Sequence, residues 1–258
     1  MSLALIAAIV ATTAVAAADQ PYTVSGQDVY RIGASQTTSR VTYDGTETLI
    51  VAKQGKGARF EAQAHYVRSD AGGKHDATAR FIQELRPGGT FEDSWDEDPD
   101  FLTILNQPFA VQLDRATMRD LLHLHASVPF NATSPLGGDA VLRGYLRPGT
   151  GGEIAGRPAV AVRFEAAGPM SGGLPGGHAT MSGKMRLDGI AYYALDDALL
   201  LALDATLTIH AQLSESAQAV PVQITYRRYI RARERELLKT PLPAQPGAGA
   251  GTAFLPAR

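Results

Sequence analysis

Six carboxylates crowd the segment FEDSWDEDPDF at 91–101, and their spacing suggests one kind of chemistry. Asp96, Asp98 and Asp100 stand at alternate positions, so an extended chain turns all three to one side, where they can converge on a hard cation such as calcium. The rest of an EF-hand loop is missing: neither the glycine at its sixth position nor the glutamate at its twelfth is present. Asp96, Asp98 and Asp100 are therefore a candidate cation site, set against a solvated acidic loop beside the sole tryptophan, Trp95.

Other reactive residue types lack a catalytic pattern. His123 and His125 are two apart in HLH, a spacing that sends the rings to different sides of a helix. His65, His178 and His210 are scattered over distant segments. In GPMSGGLPGGH, Ser171 lacks the preceding glycine of a nucleophile elbow. Gly183-Lys184 is followed by Met185 rather than by the Ser or Thr of a phosphate loop. The chain has no cysteine, so a thiol nucleophile, a thiolate metal site and a disulfide framework are excluded. No catalytic residue and no cofactor are expected. A basic cluster, Arg227, Arg228, Arg231, Arg233, Arg235 and Lys239, reads as soluble charge at the end of the last strand, with an anionic surface or the acidic 92–100 loop as alternative partners.

An apolar set remains. Met170, Met181, Met185, Leu201 and Leu203 form a Met/Leu-rich group suited to shape-tolerant contact with a lipid-like ligand, although an ordinary core also accounts for them.

The elements that must position these residues are strands. From Leu199 to Leu213 apolar residues fall on every second position, with Asp204, Thr206, Thr208, His210 and Gln212 opposite them. Val160–Ala166, Met181–Leu187 and Val220–Ile230 repeat the pattern, and Phe60–Tyr66, Gln36–Val51 and Ala77–Leu85 show it more weakly. Turn-rich segments at 71–74, 148–156, 168–177 and 214–219 separate them. Strands joined by short loops, without intervening helices, predict antiparallel meanders. The one helix signal is LDRATMRDLLHLH, with Met118, Leu121, Leu122 and His125 on one face and Asp114 as N-cap. The expected fold is mainly β: antiparallel meanders forming a half-barrel or two packed sheets, with one short helix. This strand pattern resembles the open half-barrels of bacterial lipoprotein carriers and related envelope lipid-binding proteins. The resemblance is one of architecture, and it implies an apolar, lipid-like ligand.

The ends of the chain supply an address. Leu3–Val15 is an apolar run followed by Ala16-Ala17-Ala18 and a polar start at Asp19, the pattern of a secretory signal peptide, although no Lys or Arg precedes the run. Residues 1–18 are thus expected to be removed, leaving no stable membrane span. A β-rich domain follows at 19–235, with meander halves at about 19–113 and 138–235 joined by a helix at about 114–125. The Pro/Ala/Gly-rich tail at 236–258 is expected to be disordered. A formal net charge of −2 gives no reason to expect nucleic acid as a partner. The sequence predicts an exported bacterial envelope protein, periplasmic or extracellular and non-catalytic, that binds an apolar ligand or apolar partner. The alternative is a structural or protein-interaction module of the envelope with a filled core.

Overall fold

In a computed structural model, residues 18–33, 37–54, 57–85, 95–96, 115–124, 127–133, 141–173, 179–215 and 218–233 are described. They form one antiparallel sheet of eleven strands and one short helix. The strands are β1 (Ala18–Ile32), β2 (Thr37–Gln54), β3 (Gly57–Asp70), β4 (Gly73–Leu85), β5 (Trp95–Asp96), β6 (Val128–Thr133), β7 (Val141–Ile154), β8 (Arg157–Gly173), β9 (Thr180–Ala194), β10 (Leu200–Glu215) and β11 (Gln218–Ala232). Helix α1 covers Arg115–Leu124.

The order across the sheet is β5-β4-β3-β2-β1-β11-β10-β9-β8-β7-β6. Each neighbouring pair except one is a sequence-local hairpin. The exception is β1 with β11, where the first strand meets the last in register from Tyr22↔Ala232 to Ile32↔Val222. The two halves of the chain are thus two meanders that join at this one seam. The mainly-β antiparallel fold expected from the sequence is present as one continuous sheet that is not closed, rather than as two packed sheets.

Period-two alternation explains the faces. Leu203, Ala205, Leu207 and Ile209 of β10 are buried, while Asp204, Thr206 and Thr208 between them are half-buried and polar. Leu187 and Met185 of β9, Val162 of β8, Leu142 of β7 and Tyr226 of β11 fall in the same rows and build one apolar face. Bare glycines allow this face to curl. A Cβ added to Gly45, Gly144 or Gly183 would lie 2.2, 1.8 and 2.1 Å from a carbonyl oxygen of the adjoining strand. Neighbouring backbones close in on this side at just these points, which bends the sheet toward its apolar face.

Two free edges remain among the described residues. Along β4 only Phe81 and Ile82 are covered, by the two-residue β5. The uncovered part of β4 carries Lys74, Asp76 and Arg80, and β7 beyond Leu146 carries Pro148 and a register shift. Charge, proline and bulges at an edge oppose pairing with another chain. Helix α1 packs against β6 and β7 and sinks Met118 and Leu121 into the core. The helix signal is borne out at Met118, Leu121 and the half-buried Leu122, whereas Asp114 and His125 lie outside the described residues.

Two expected loops turn out to be strand. β8 runs through Gly173, so Gly168, Met170 and Gly172 are in the sheet, and β7 runs to Ile154, leaving only Ala155 and Gly156 as its turn. The glycines read as turn formers instead sit opposite bulky partners, Gly168↔Met185 and Gly172↔Met181. The 236–258 tail and residues 1–17 lie outside the described residues. No helix among the described residues is long and apolar enough to cross a membrane.

Candidate functional site

The apolar face holds a small polar cluster that strand phase explains. In β11 the buried positions are Val222, Ile224, Tyr226, Arg228, Ile230 and Ala232, so the alternation that buries the apolar residues also buries an arginine. β1 delivers Asp28 and Gly26 in the same way, and β2 delivers Tyr43 and Glu47. One row across the sheet reads Tyr43, Gly26, Arg228, Ala205, Gly189 and Phe164. Arg228 therefore lies between two small neighbours. A Cβ on Gly26 would stand 2.7 Å from its Cδ, so only glycine leaves room for it.

Arg228 and Asp28 are both 0% exposed, and Nη1 of Arg228 donates to Oδ1 of Asp28. The same Nη1 donates to the Arg227 carbonyl at 3.0 Å. The guanidinium lies 4.7 Å from the centroid of the Tyr43 ring, a cation–π contact in a desolvated setting. Burial, with the Asp28 charge beside it, drives the Tyr43 phenol well above its ordinary pKa. Arg228 thus ties β11 to β1 and reaches over to β2, across the one seam between the halves. Neither Arg228 nor Asp28 touches solvent, so in this conformation the pair is a clamp and has no surface to offer a dissolved substrate.

Glu47 is different. It is 4% exposed, faces Tyr22 of β1 and Ala64 of β3, and its Oε2 has no hydrogen-bond partner among the described residues. Burial alone pushes its carboxyl up to about 7. The Tyr22 hydroxyl is committed elsewhere, donating to the Leu200 carbonyl at 2.7 Å.

The apolar candidates divide into two groups. Met170 packs opposite Gly183, between Met181 and Met185 on the next strand, so the three methionines come together. Leu203 lies opposite Ala191, six residues along β10 from the partner of Met185, or about 20 Å away at strand rise; Leu201 sits beside it at a register shift. All five are buried, from 8% exposure at Met181 to 0% at Leu201. Of the cation candidates, Asp96 lies in β5 opposite Phe81, and Asp98 and Asp100 lie outside the described residues. Among the described residues no three His, Cys, Asp or Glu side chains come close enough to hold a metal ion.

The opposite, outward face is polar and carries shallow grooves. One of about 450 Å³ runs past Tyr145, Arg147, Glu165, Asp188 and Asp204, where Arg147 meets Glu165 at 2.7 Å. A second, of about 390 Å³, is lined by Ser25, Asp44, Tyr192 and Tyr229. A third, of about 540 Å³, lies at the Gly33 end of β1 among Arg31, Lys184, His210 and Gln223. The sequence reading missed the clamp because Arg228 lies in a run of arginines that resembles surface charge. The available signal was its phase with Tyr226 and Ile230.

No protein-family model matches the chain, and no curated protein matches it.

Proposed function

We propose that the protein is an exported, non-catalytic interaction module of the bacterial envelope, with a filled core and its partner bound on the outward face. The observation that favours this reading is the burial of Met170, Met181, Met185, Leu201 and Leu203. At 0–8% exposure their surfaces are covered by the chain itself, whereas a cavity large enough for a ligand would leave its lining accessible. The open grooves of 390–540 Å³ lie on the polar face instead.

The apolar-ligand reading has its own support in the methionine group, which is adaptable and lies in an open sheet. Paired photo-cross-linkers separate the two readings. A cross-linker at Thr208, outward on β10, is expected to capture a partner in the intact envelope, and one at Met185 only the protein itself. Capture of a lipid at Met185 with nothing at Thr208 would overturn the proposal. The exported state predicts a mature amino terminus at Asp19, which terminal sequencing of the native protein reads directly; an intact Met1 in the purified protein would contradict it.

A further inference from the structure

Charge is unevenly spread over the outward face. The cross-strand row Lys184, His210, Gln223, Arg31 and Thr38 runs over five adjoining strands, β9 to β2. The next outward-facing row toward the middle of the strands holds Arg186 and Arg40 at its ends, with Thr208, Thr225 and Val29 between them. The outward row on the other side holds Ser182, Gln212 and Pro221, whose carbonyl accepts a hydrogen bond from Gly33 N at 2.9 Å. No Asp or Glu stands in any of these three rows, although acidic residues outnumber basic ones in the whole chain, 26 to 24. The acids begin one row further on, at Asp188, which takes Arg186 at 3.3 Å.

The groove of about 540 Å³ lies over these three rows. Its outward side chains include the donors Arg31, Lys184, His210, Gln223, Ser182 and Gln212, and Gly33 and Pro221 close its end. Arg31, Lys184 and His210 are exposed, and among the described residues Arg31 Nη1 makes a long contact of 3.4 Å to Gln223 Oε1. Three strand spacings separate Arg31 from Lys184, about 14 Å between Cα atoms, so the two long side chains reach inward from opposite walls. His210 and Gln223 lie between them on the intervening strands.

We propose that this groove is an oxyanion site that takes a phosphate group. The guanidinium fork and the ammonium supply charge-assisted hydrogen bonds from two sides, and the imidazole and amide supply donors from below. A tetrahedral oxyanion with three free oxygens uses such a set better than a carboxylate with two. This inference gives the chemistry of the partner in the interaction-module reading and rests on that reading. The two fail separately, because uptake of an apolar ligand into the interior would sink that reading without touching the groove.

The test is titration of the full chain at low ionic strength with inorganic pyrophosphate, alongside co-sedimentation with phosphatidylglycerol-containing vesicles. Saturable pyrophosphate binding is expected, weakened about tenfold by Arg31→Gln and by Lys184→Gln. Arg143→Gln, an exposed arginine of β7 outside the groove, leaves it unchanged. All three positions are exposed, so circular dichroism should show each variant folded. Vesicle binding displaced by pyrophosphate marks a lipid headgroup as the source, and pyrophosphate binding without vesicle binding marks a soluble phosphate. Absence of binding in both arms overturns the proposal, as does equal weakening by Arg143→Gln, which would mean non-specific charge.

Discussion

Replacing Glu47 by glutamine should change how the stability of this protein depends on pH. The native carboxyl is 4% exposed and titrates at about 7, raised by burial from an unfolded value of 4.5. For an acid raised in this way the folded state prefers the protonated form. The contribution of Glu47 to stability is therefore greatest below pH 4.5, declines as pH rises through about 7, and is flat well above that. At about 1.36 kcal/mol per pKa unit, the full loss is about 3 kcal/mol. Glutamine keeps the shape and cannot ionise, so Glu47→Gln should match the native protein near pH 4 and exceed it by up to about 3 kcal/mol at pH 8. Urea unfolding of both proteins from pH 4 to 8, followed by circular dichroism, gives the difference curve. Subtracting one protein from the other cancels the remaining carboxylates. A difference that stays flat across that range would refute the assignment of Glu47 as a buried carboxyl without a cation.

Four further substitutions probe the seam and a turn. Arg228→Met strands the Asp28 charge in the core, and Asp28→Asn strands the guanidinium; each should cost about 3–5 kcal/mol in urea unfolding. The double variant should recover much of that loss, and additive losses would mean that the two residues do not act as a pair. Gly26→Ala places a Cβ 2.7 Å from the Arg228 side chain and should cost about 1–3 kcal/mol, read as a fall in melting temperature; an unchanged melting temperature would show that the row is looser than it looks. Ala155, at φ 50° in the β7–β8 turn, holds a left-handed conformation that glycine adopts freely. Ala155→Gly should stabilise by about 1 kcal/mol, and a destabilised variant would contradict the turn geometry.

Much of the fold is legible in the sequence because burial on one side of a strand writes itself as alternation. Leu203, Leu207 and Ile209 declare β10, and Met118 with Leu121 declares the helix. The strand order is less legible. Hairpins follow from proximity, but the pairing of β1 with β11 joins residues about two hundred positions apart and leaves no local trace. Glycine and proline misled at 168–173, where the same lack of a side chain that favours a turn also lets two strands close on each other. The Met170, Met181 and Met185 group was visible from composition, yet its distance from Leu203 depends on register, which the pattern alone does not give. Arg228, Asp28 and Glu47 each sit in the apolar phase of a strand, a signal hidden by reading charged residues as outward. The phosphate groove is a cross-strand row, so its members stand far apart in sequence and meet only once the registers are known.

The central claim is that the interior is filled and the partner is met outside. Native mass spectrometry of the mature chain with excess monoolein tests it most directly, because a neutral lipid cannot use the basic groove. The account predicts the bare protein mass alone. A one-to-one complex, weakened when Met185→Trp fills the space among the methionines, would contradict it and restore the carrier reading.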